Sequence, residues 1–209
     1  MSFNIVIIDY EMGNLKSISK CLKYLNVNSL ITDNPKLIKA SNGIILPGVG
    51  AFKNAMRNLK EKDLVNLIED VVKEGKPILG ICLGLQLLYS KSFEMGETKG
   101  LDLIKGKVVA FEKTKVEKIP HIGWNNVKFK DMNHFLVEGI PDNSFFYFVH
   151  SFYAMPEKSE HSIGLTDYGK IQFSSIIGKN HIIATQFHPE KSSRNGIKLY
   201  QNFVNFCKK

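Results

Sequence analysis

The first ninety residues alternate between short apolar runs and longer stretches whose apolar residues recur at helical spacing. The apolar runs contain almost no polar residue, which is typical of strands buried on both faces of a parallel sheet. The stretch 14–25 carries Leu15, Ile18 and Leu22 on one face and lysines on the other, so it predicts an amphipathic helix. The pattern predicts strands at 4–9, 28–32, 43–46 and 78–81, a turn at 33–35, and helices at 14–25, 52–60, 63–73 and 84–90.

Beyond Gly100, strand-like segments follow one another without long helices between them. The segments 171–177 and 181–187 are joined by Gly178-Lys179-Asn180, which predicts a hairpin. We therefore expect an α/β fold with a mostly parallel central sheet flanked by helices and additional antiparallel strands in the C-terminal half. No linker or repeat interrupts the pattern, so a single domain over 1–209 is expected. The remaining predicted elements are strands at 107–111, 124–129, 144–153 and 162–167, and a helix at 193–207.

Composition excludes several classes of protein. The 209 residues are 44% hydrophobic and 23% charged, a balance typical of a globular protein with a sizeable core. No apolar run reaches the roughly 18 residues of a membrane helix, and we expect neither a membrane segment nor a signal peptide. The net charge is +8, but only two basic residues are arginines and the lysines are scattered, which favours a solvated surface over a nucleic-acid site. Three widely spaced cysteines indicate a reducing compartment, the cytoplasm.

The strongest local signal is the sequence Gly80-Ile81-Cys82-Leu83-Gly84, which follows an apolar strand and opens an apolar helix. This context is typical of a nucleophile elbow, in which a tight turn exposes the central side chain. Because the helix N-terminus favours an anion, Cys82 is a candidate thiolate nucleophile. The alternative is a buried cysteine in a glycine-rich junction between strand and helix.

A thiolate nucleophile requires a base and a group that orients the base. Of six histidines, His188 stands out because it ends an apolar strand and is followed by Pro189 and Glu190. Proline disfavours helix at the preceding residue, so we expect an extended segment in which His188 and Glu190 point the same way. The carboxylate would then hold one ring nitrogen. A strand-ending histidine beside a solvated glutamate is the alternative.

A second glycine-rich segment, Pro47-Gly48-Val49-Gly50, follows the predicted strand 43–46. Ligands of open parallel sheets bind at the carboxyl ends of the strands, and glycines there expose backbone amides. We expect the amides of Val49 and Leu83 to form an oxyanion hole, with an ordinary glycine-rich turn as the alternative.

In combination, these segments resemble the class I (triad-type) glutamine amidotransferases, and more closely the glutaminase subunits of imidazole glycerol phosphate synthase. The match extends over essentially the whole chain. It rests on the Cys82 elbow with Gln86, on 47–50, and on the blocks Asp-Tyr-Glu-Met-Gly-Asn-Leu at 9–15, Pro-His-Ile-Gly-Trp-Asn at 120–125, Tyr-Phe-Val-His-Ser-Phe at 147–152 and Gln-Phe-His-Pro-Glu-Lys-Ser at 186–192.

The resemblance implies a flavodoxin-like amidotransferase fold and a Cys82–His188–Glu190 triad that hydrolyses L-glutamine through a γ-glutamyl thioester. By the same resemblance, the glutamine pocket would be lined by Gly48, Gly50, Gln86, Ser151 and Phe152. Asn14, Trp124 and Tyr147 lie in blocks that face a partner subunit in relatives, although core packing is the alternative for Trp124 and Tyr147.

Several motifs are absent from the sequence: a phosphate-binding loop, a dinucleotide fingerprint and metal-ligand spacing. The chain is therefore expected to release ammonia without a cofactor or metal and without activating an acceptor itself. The resemblance implies a heterodimer with a (β/α)₈ barrel cyclase subunit. That subunit uses channelled ammonia to form imidazole glycerol phosphate and an aminoimidazole carboxamide ribotide in histidine biosynthesis. We expect docking to rearrange the oxyanion segment.

Three alternatives to this function stay open from the sequence. A closely related glutaminase could feed a surface-sugar amidotransferase with the same triad and a barrel partner. A free-standing thiol hydrolase or γ-glutamyl peptidase would use the elbow and His188 without a partner. A catalytically silent binding protein on the same fold is disfavoured because the triad is complete.

Overall fold

A computed structural model describes residues 3–209. Its α-helices are α1 (Leu15–Tyr24), α2 (Pro35–Ala40), α3 (Phe52–Glu61), α4 (Leu64–Lys73), α5 (Leu83–Leu87) and α6 (Ser193–Cys207). Its strands are β1 (Ile5–Ile8), β2 (Ser29–Thr32), β3 (Gly43–Leu46), β4 (Ile78–Ile81), β5 (Tyr89–Ser92), β6 (Thr98–Lys99), β7 (Ile104–Ala110), β8 (His121–Phe129), β9 (Ser144–His150), β10 (Phe152–Pro156), β11 (Ser162–Tyr168), β12 (Ile171–Lys179) and β13 (Ile182–Thr185).

A nine-stranded sheet with the order β2-β1-β3-β4-β13-β12-β11-β8-β9 forms the centre of the fold. The strands from β2 to β13 run parallel, and those from β12 to β9 continue the sheet in antiparallel pairs. A smaller sheet has the order β10-β7-β5-β6. The expected α/β class, with a parallel half and an antiparallel half, is confirmed.

Helices cover both faces of the parallel half, as its continuous apolar strands require. Ile5 and Ile7 of β1 face the cluster that contains the buried sides of α1 and α6. Val6 and Ile8 face the opposite cluster, which contains the buried residues of α2 to α5. The carboxyl ends of β3 and β4 therefore emerge together at one edge of a sheet that is buried on both faces.

Several predicted bounds are confirmed and others are wrong. The strands 43–46 and 78–81 and the helix 193–207 have the predicted bounds. The predicted turn at 33–35 instead leads into α2, because the Asn34 side chain caps the amides of Lys36 and Leu37 and Pro35 occupies the first helical turn.

Two errors concern segments next to the candidate site. The predicted helix 84–90 ends at Leu87, since Tyr89–Ser92 forms β5 and pairs with β7. The predicted strand 144–153 is divided at Ser151: β9 belongs to the large sheet, whereas β10 pairs with β7 in the small one. Apolar residues alone do not reveal a strand that changes sheets. Among the helices within 3–209, none is both long and apolar enough to span a bilayer.

Candidate active site

Cys82 lies at the junction of β4 and α5 in a strained conformation. Its φ of 54° and ψ of −106° are rare for a residue with a side chain and cost about 1–3 kcal/mol. The amide of Cys82 donates to the Thr185 carbonyl at 2.8 Å, which ties the elbow to the end of β13. The predicted tight turn between strand and helix is thus present, held by a strand from the far end of the chain.

The two glycines of the elbow, Gly80 and Gly84, allow backbone segments to pack closely around it. A Cβ on Gly84 would occupy the position of the Leu46 carbonyl oxygen, at the end of β3. A Cβ on Gly80 would lie 2.9 Å from the Gly84 carbonyl oxygen. Since neither neighbour is a flexible side chain, both positions require glycine.

His188 and Glu190 form a buried pair, with 2.7 Å between His188 Nδ1 and Glu190 Oε1. The expected contact is present, but the expected extended segment is wrong: Pro189–Lys191 is a short 3-10 turn. Proline suits the first position of such a turn. The amide of His188 donates to the Tyr147 carbonyl at 2.9 Å, and the Ser192 hydroxyl donates to the His188 carbonyl at 2.7 Å.

The surroundings of His188 stabilise its protonated form. Burial by itself lowers the pKa of an imidazole. Here the interactions of the imidazole with Cys82 and Glu190 outweigh burial and raise the pKa of His188 from 6.5 to about 10. His188 Nε2 is buried and forms no hydrogen bond of normal geometry within 3–209, so its free nitrogen is available to the thiol. The surroundings therefore favour the imidazolium that forms when His188 accepts a proton.

The resting thiol of Cys82 is held by neighbours other than His188. Its sulfur donates to the Val149 carbonyl and accepts from Gln186 Nε2, both at 3.8 Å. Gln186 Oε1 in turn accepts from Gln86 Nε2 at 3.2 Å. Gln186 was missed as a functional residue, although it stands in the block 186–192.

Tyr10 supports the Pro47–Gly50 segment from below. Its hydroxyl donates to the Pro47 carbonyl at 2.5 Å, and it lies so close to Gly48 that a Cβ there would approach the hydroxyl to 2.6 Å. Gly48 is therefore buried behind the segment, whereas the Val49 side chain is 43% exposed. The amides of Val49 and Leu83 have no acceptor among the described residues. Tyr10 carried no signal of this role in the sequence.

These elements surround a cavity of about 370 Å³ that opens above Cys82. Gly48 and Glu190 lie behind the cavity wall, while the other predicted residues of the triad, oxyanion hole and pocket line it. Glu94, in the β5–β6 turn, also lines it and was missed because no element was predicted between 90 and 107; its Oε2 accepts from the Phe52 amide at 2.7 Å. The lining consists of Val49, Gly50, Cys82, Leu83, Gln86, Glu94, Pro120, Val149, His150, Ser151, Phe152 and His188.

An exposed apolar surface lies beside the cavity on the β8–β9 ladder. One face of this ladder carries Ile122, Trp124 and Phe145. Successive residues of a strand point to opposite faces of the sheet, and the residue pairs between these three lie on the buried face. Trp124 is 52% exposed and meets the half-buried Tyr147 edge-on, so the core-packing alternative fails for Trp124. Asn14 is the N-cap of α1, where its side chain accepts from the Ser17 amide.

Residues 3–209 contain no group of three histidine, cysteine or acidic side chains that could hold a metal ion. The reactive groups identified above are the thiol, the imidazole, the carboxylate and the free amides. Such a set fits nucleophilic attack on a carbonyl, with proton transfer by the imidazole and stabilisation of an oxyanion by the amides.

Comparison with known proteins agrees with this chemistry. The imidazole glycerol phosphate synthase subunit HisH of Methanosarcina barkeri is 50% identical over 204 residues, which is 97% of this chain and 98% of the relative. The corresponding subunit of Moorella thermoacetica is 49% identical, over 95% of this chain and 93% of the relative. The solved structure of PurLQS from Thermotoga maritima shares the fold, with a TM-score of 0.76 at 17% identity and 99% coverage of both chains. The family model for glutamine amidotransferase class-I matches residues 6–206, and this chain belongs to that family.

Proposed function

We propose that the chain is one glutamine amidotransferase domain over residues 1–209 and serves as the glutaminase subunit of an imidazole glycerol phosphate synthase. The nearly full-length identity to HisH subunits supports this role. The single observation that carries the chemistry is the strained Cys82 at the cavity floor beside the buried His188–Glu190 pair. The products would be glutamate and ammonia.

In the first step, His188 Nε2 accepts the thiol proton of Cys82, and the sulfur attacks the side-chain amide carbon of glutamine. The carbonyl oxygen becomes an oxyanion as the carbon–sulfur bond forms. The free amides of Val49 and Leu83 are suited to donate to this oxyanion. Negative charge that develops on the substrate oxygen would thereby be met by two backbone amides.

In the second step, the tetrahedral intermediate collapses to a γ-glutamyl thioester. The His188 imidazolium returns its proton to the departing nitrogen, which leaves as ammonia. His188 then removes a proton from water, which attacks the thioester and releases glutamate and the thiol. Glu190 keeps Nδ1 protonated and stabilises the imidazolium, in agreement with the raised pKa of His188.

Substrate choice follows from the polar groups of the cavity. The Glu94 carboxylate offers a partner for the α-ammonium group of glutamine, and the Ser151 amide and hydroxyl offer donors for its α-carboxylate. Gln86 also lines the cavity, and its Nε2 donates to the Phe152 carbonyl at 3.0 Å. An amino acid with both charged groups and a side chain of glutamine's length would span from Glu94 to Cys82.

A partner subunit would cover the mouth of this cavity. Val49 is exposed and lines the cavity. The apolar surface of Ile122, Trp124 and Phe145 reaches the same cavity through Val149, which pairs with Ile122 and also lines it. Apolar, aromatic surface beside a cleft is typical of a protein interface. We propose that a (β/α)₈ barrel cyclase subunit docks there, receives ammonia directly and repositions Val49. The three free cysteines suit the cytoplasm as the place of this complex.

This function can be tested in the complex with the barrel subunit by supplying either glutamine or free ammonia as the nitrogen source. Cys82→Ala should abolish glutamine-dependent synthesis and leave ammonia-dependent synthesis unchanged, because the barrel acts on ammonia from either source. Ser90→Ala, outside the cavity, is the matched control and should retain both rates. Loss of both rates in Cys82→Ala would contradict the proposed division of labour, as would equal glutamine hydrolysis with and without the barrel.

A further inference from the structure

Two buried histidines, His121 and His150, lie directly opposite each other on β8 and β9. His121 Nδ1 is 3.0 Å from His150 Nε2. They occupy the face of the ladder opposite Trp124, and both side chains are almost fully buried among aromatic rings. His121 stacks between Phe148 and Tyr168, with ring centroids 4.8 and 4.0 Å away. The mechanism above uses neither imidazole.

Backbone groups determine the direction of hydrogen bonding at both ends of this pair. At one end, Asn125 Oδ1 accepts from the Asn126 amide at 2.8 Å, so its Nδ2 must face the Asp167 carbonyl and His121 Nε2, at 2.9 and 3.3 Å. At the other end, His150 Nδ1 is 2.8 Å from the Phe152 carbonyl, which can only accept. The two ends leave one consistent arrangement.

In that arrangement each ring carries its proton on Nδ1. Asn125 donates to His121 Nε2, His121 Nδ1 donates to His150 Nε2, and His150 Nδ1 donates to the Phe152 carbonyl. Both rings are neutral at physiological pH. Burial lowers the pKa of His121 to about 4. Burial is also the main reason that the pKa of His150 is lowered to about 3, although the hydrogen bond to the Phe152 carbonyl acts in the opposite direction.

The end of this chain of hydrogen bonds is a wall of the glutamine cavity. The Phe152 carbonyl also accepts from Gln86 Nε2, and Ser151 lies at the point where the chain leaves the large sheet for the small one. The Ser151 carbonyl is held in turn by the Phe111 amide at 3.1 Å. Two hydrogen bonds therefore hold the bend that presents Ser151 to the cavity: one from the Phe111 amide to the Ser151 carbonyl, and one from His150 Nδ1 to the Phe152 carbonyl.

We propose that His121 is a positioning residue for glutamine binding, which acts by fixing the Nδ1–H form of His150 and, through it, the Ser151–Phe152 bend. The inference rests on the proposed glutaminase function. Without the His121 donor, His150 Nε2 is left unsatisfied in an apolar enclosure, and the bend loses the ring orientation that holds it. His121 does not line the cavity, so it can be changed without removing a group that contacts substrate.

Three variants of His121 separate positioning from packing. Asn places an amide nitrogen where Nδ1 stands, whereas Gln reaches the Nε2 position and Leu supplies no donor. We expect His121→Gln and His121→Leu to raise KM for glutamine about tenfold with kcat changed less than about threefold, and His121→Asn to stay within about threefold of the wild type in both. If His121→Leu does not fold, the Asn–Gln comparison decides.

Labelling of Cys82 provides a second readout. The glutamine analogue acivicin should require a higher concentration for half-maximal labelling in the Gln and Leu variants. Iodoacetamide, which needs no glutamine pocket, should react at the wild-type rate. Equal KM values for the Asn and Gln variants would overturn the proposal. A loss confined to kcat, or a loss of iodoacetamide labelling that follows thermal stability, would also overturn it.

The protonation state of the two rings can be tested without any activity. In ¹⁵N–¹H spectra of the wild-type chain at neutral pH, both rings should be neutral with the proton on Nδ1. An Nε2–H or charged ring would refute the relay even if glutamine were hydrolysed. Conversely, a wild-type chain with these tautomers that neither hydrolyses glutamine nor reacts with acivicin would refute the proposed function and leave the hydrogen-bond chain intact.

Discussion

Replacing Glu190 by Gln removes the negative charge beside His188 with little change of shape. The two side chains are 2.7 Å apart and almost fully buried, so solvent screens their interaction weakly. Gln can still accept from His188 Nδ1, and the ring should keep its orientation and tautomer. The substitution therefore isolates the electrostatic part of the role of Glu190.

A hydrogen bond to a charged group contributes about 2 kcal/mol, which corresponds to about 30-fold in rate if it is lost in the transition state. The same loss would lower the pKa of His188 below its wild-type value of about 10. Because the imidazolium must donate to the departing nitrogen, activity should fall on the alkaline side at a lower pH than in the wild type.

The assay is the pH dependence of kcat for glutamine hydrolysis together with iodoacetamide labelling of Cys82. Tyr200→Phe is the matched control, because Tyr200 donates to the other oxygen of Glu190 at 3.5 Å and leaves the charge in place. It should change kcat less than about threefold. An unchanged alkaline limb in Glu190→Gln, or equal losses in both variants, would refute the electrostatic role.

Stability should respond to pH with a defined sign. The pKa of His188 is higher in the folded chain than its ordinary value of 6.5, so its charged interactions stabilise the fold fully below pH 6.5. This contribution is lost as the pH rises through about 10. Urea unfolding should therefore show a larger difference between wild type and Glu190→Gln near pH 6 than near pH 10. A difference that grows with pH would contradict the assignment.

Further predictions concern the elbow, the oxyanion segment and the docking surface. Gly84→Ala should lower the free energy of unfolding by about 1–3 kcal/mol in urea, because the Leu46 carbonyl occupies the Cβ position. Gly75→Ala should cost less, because it adds only the strain of a positive φ (97°) and no backbone atom lies near its Cβ position. Tyr10→Phe should reduce kcat by about fivefold through loss of the bond to Pro47, and an unchanged kcat would contradict that support. Trp124→Ala should weaken binding of the barrel subunit by at least about tenfold in calorimetry, with the unfolding of the isolated chain unchanged.

Local sequence was sufficient for the parts of the site that depend on neighbouring residues. The elbow at Cys82 follows from two glycines at a strand–helix junction, and the His188–Glu190 contact follows from their spacing around Pro189. Even there, a turn replaced the expected extended segment, because a proline after His188 is compatible with both. The contact survived since either geometry brings the two side chains to the same side.

The antiparallel end of the sheet shows why other features could not be predicted. The start of β5, Tyr89 and Ser90, continues a segment that also fits a helix, and only the pairing of β5 with β7 decides between them. Glu94 lies beyond that segment, in a turn that exists because β5 pairs with β6. The division at Ser151 likewise depends on which sheet each half joins. The chain of hydrogen bonds through His121 and His150 exists because β8 and β9 are in one register.

The sequence by itself determined the reactive groups of this protein, because their chemistry is set by residue type and short spacing. Tertiary structure alone decided their assembly. Gln186 and Cys82 are 104 positions apart, and they meet because β13 pairs with β4 in the parallel sheet. Hydrophobic periodicity indicates which residues are buried. The order of the strands depends on how all apolar surfaces of the chain pack together, and no local sequence pattern contains that information.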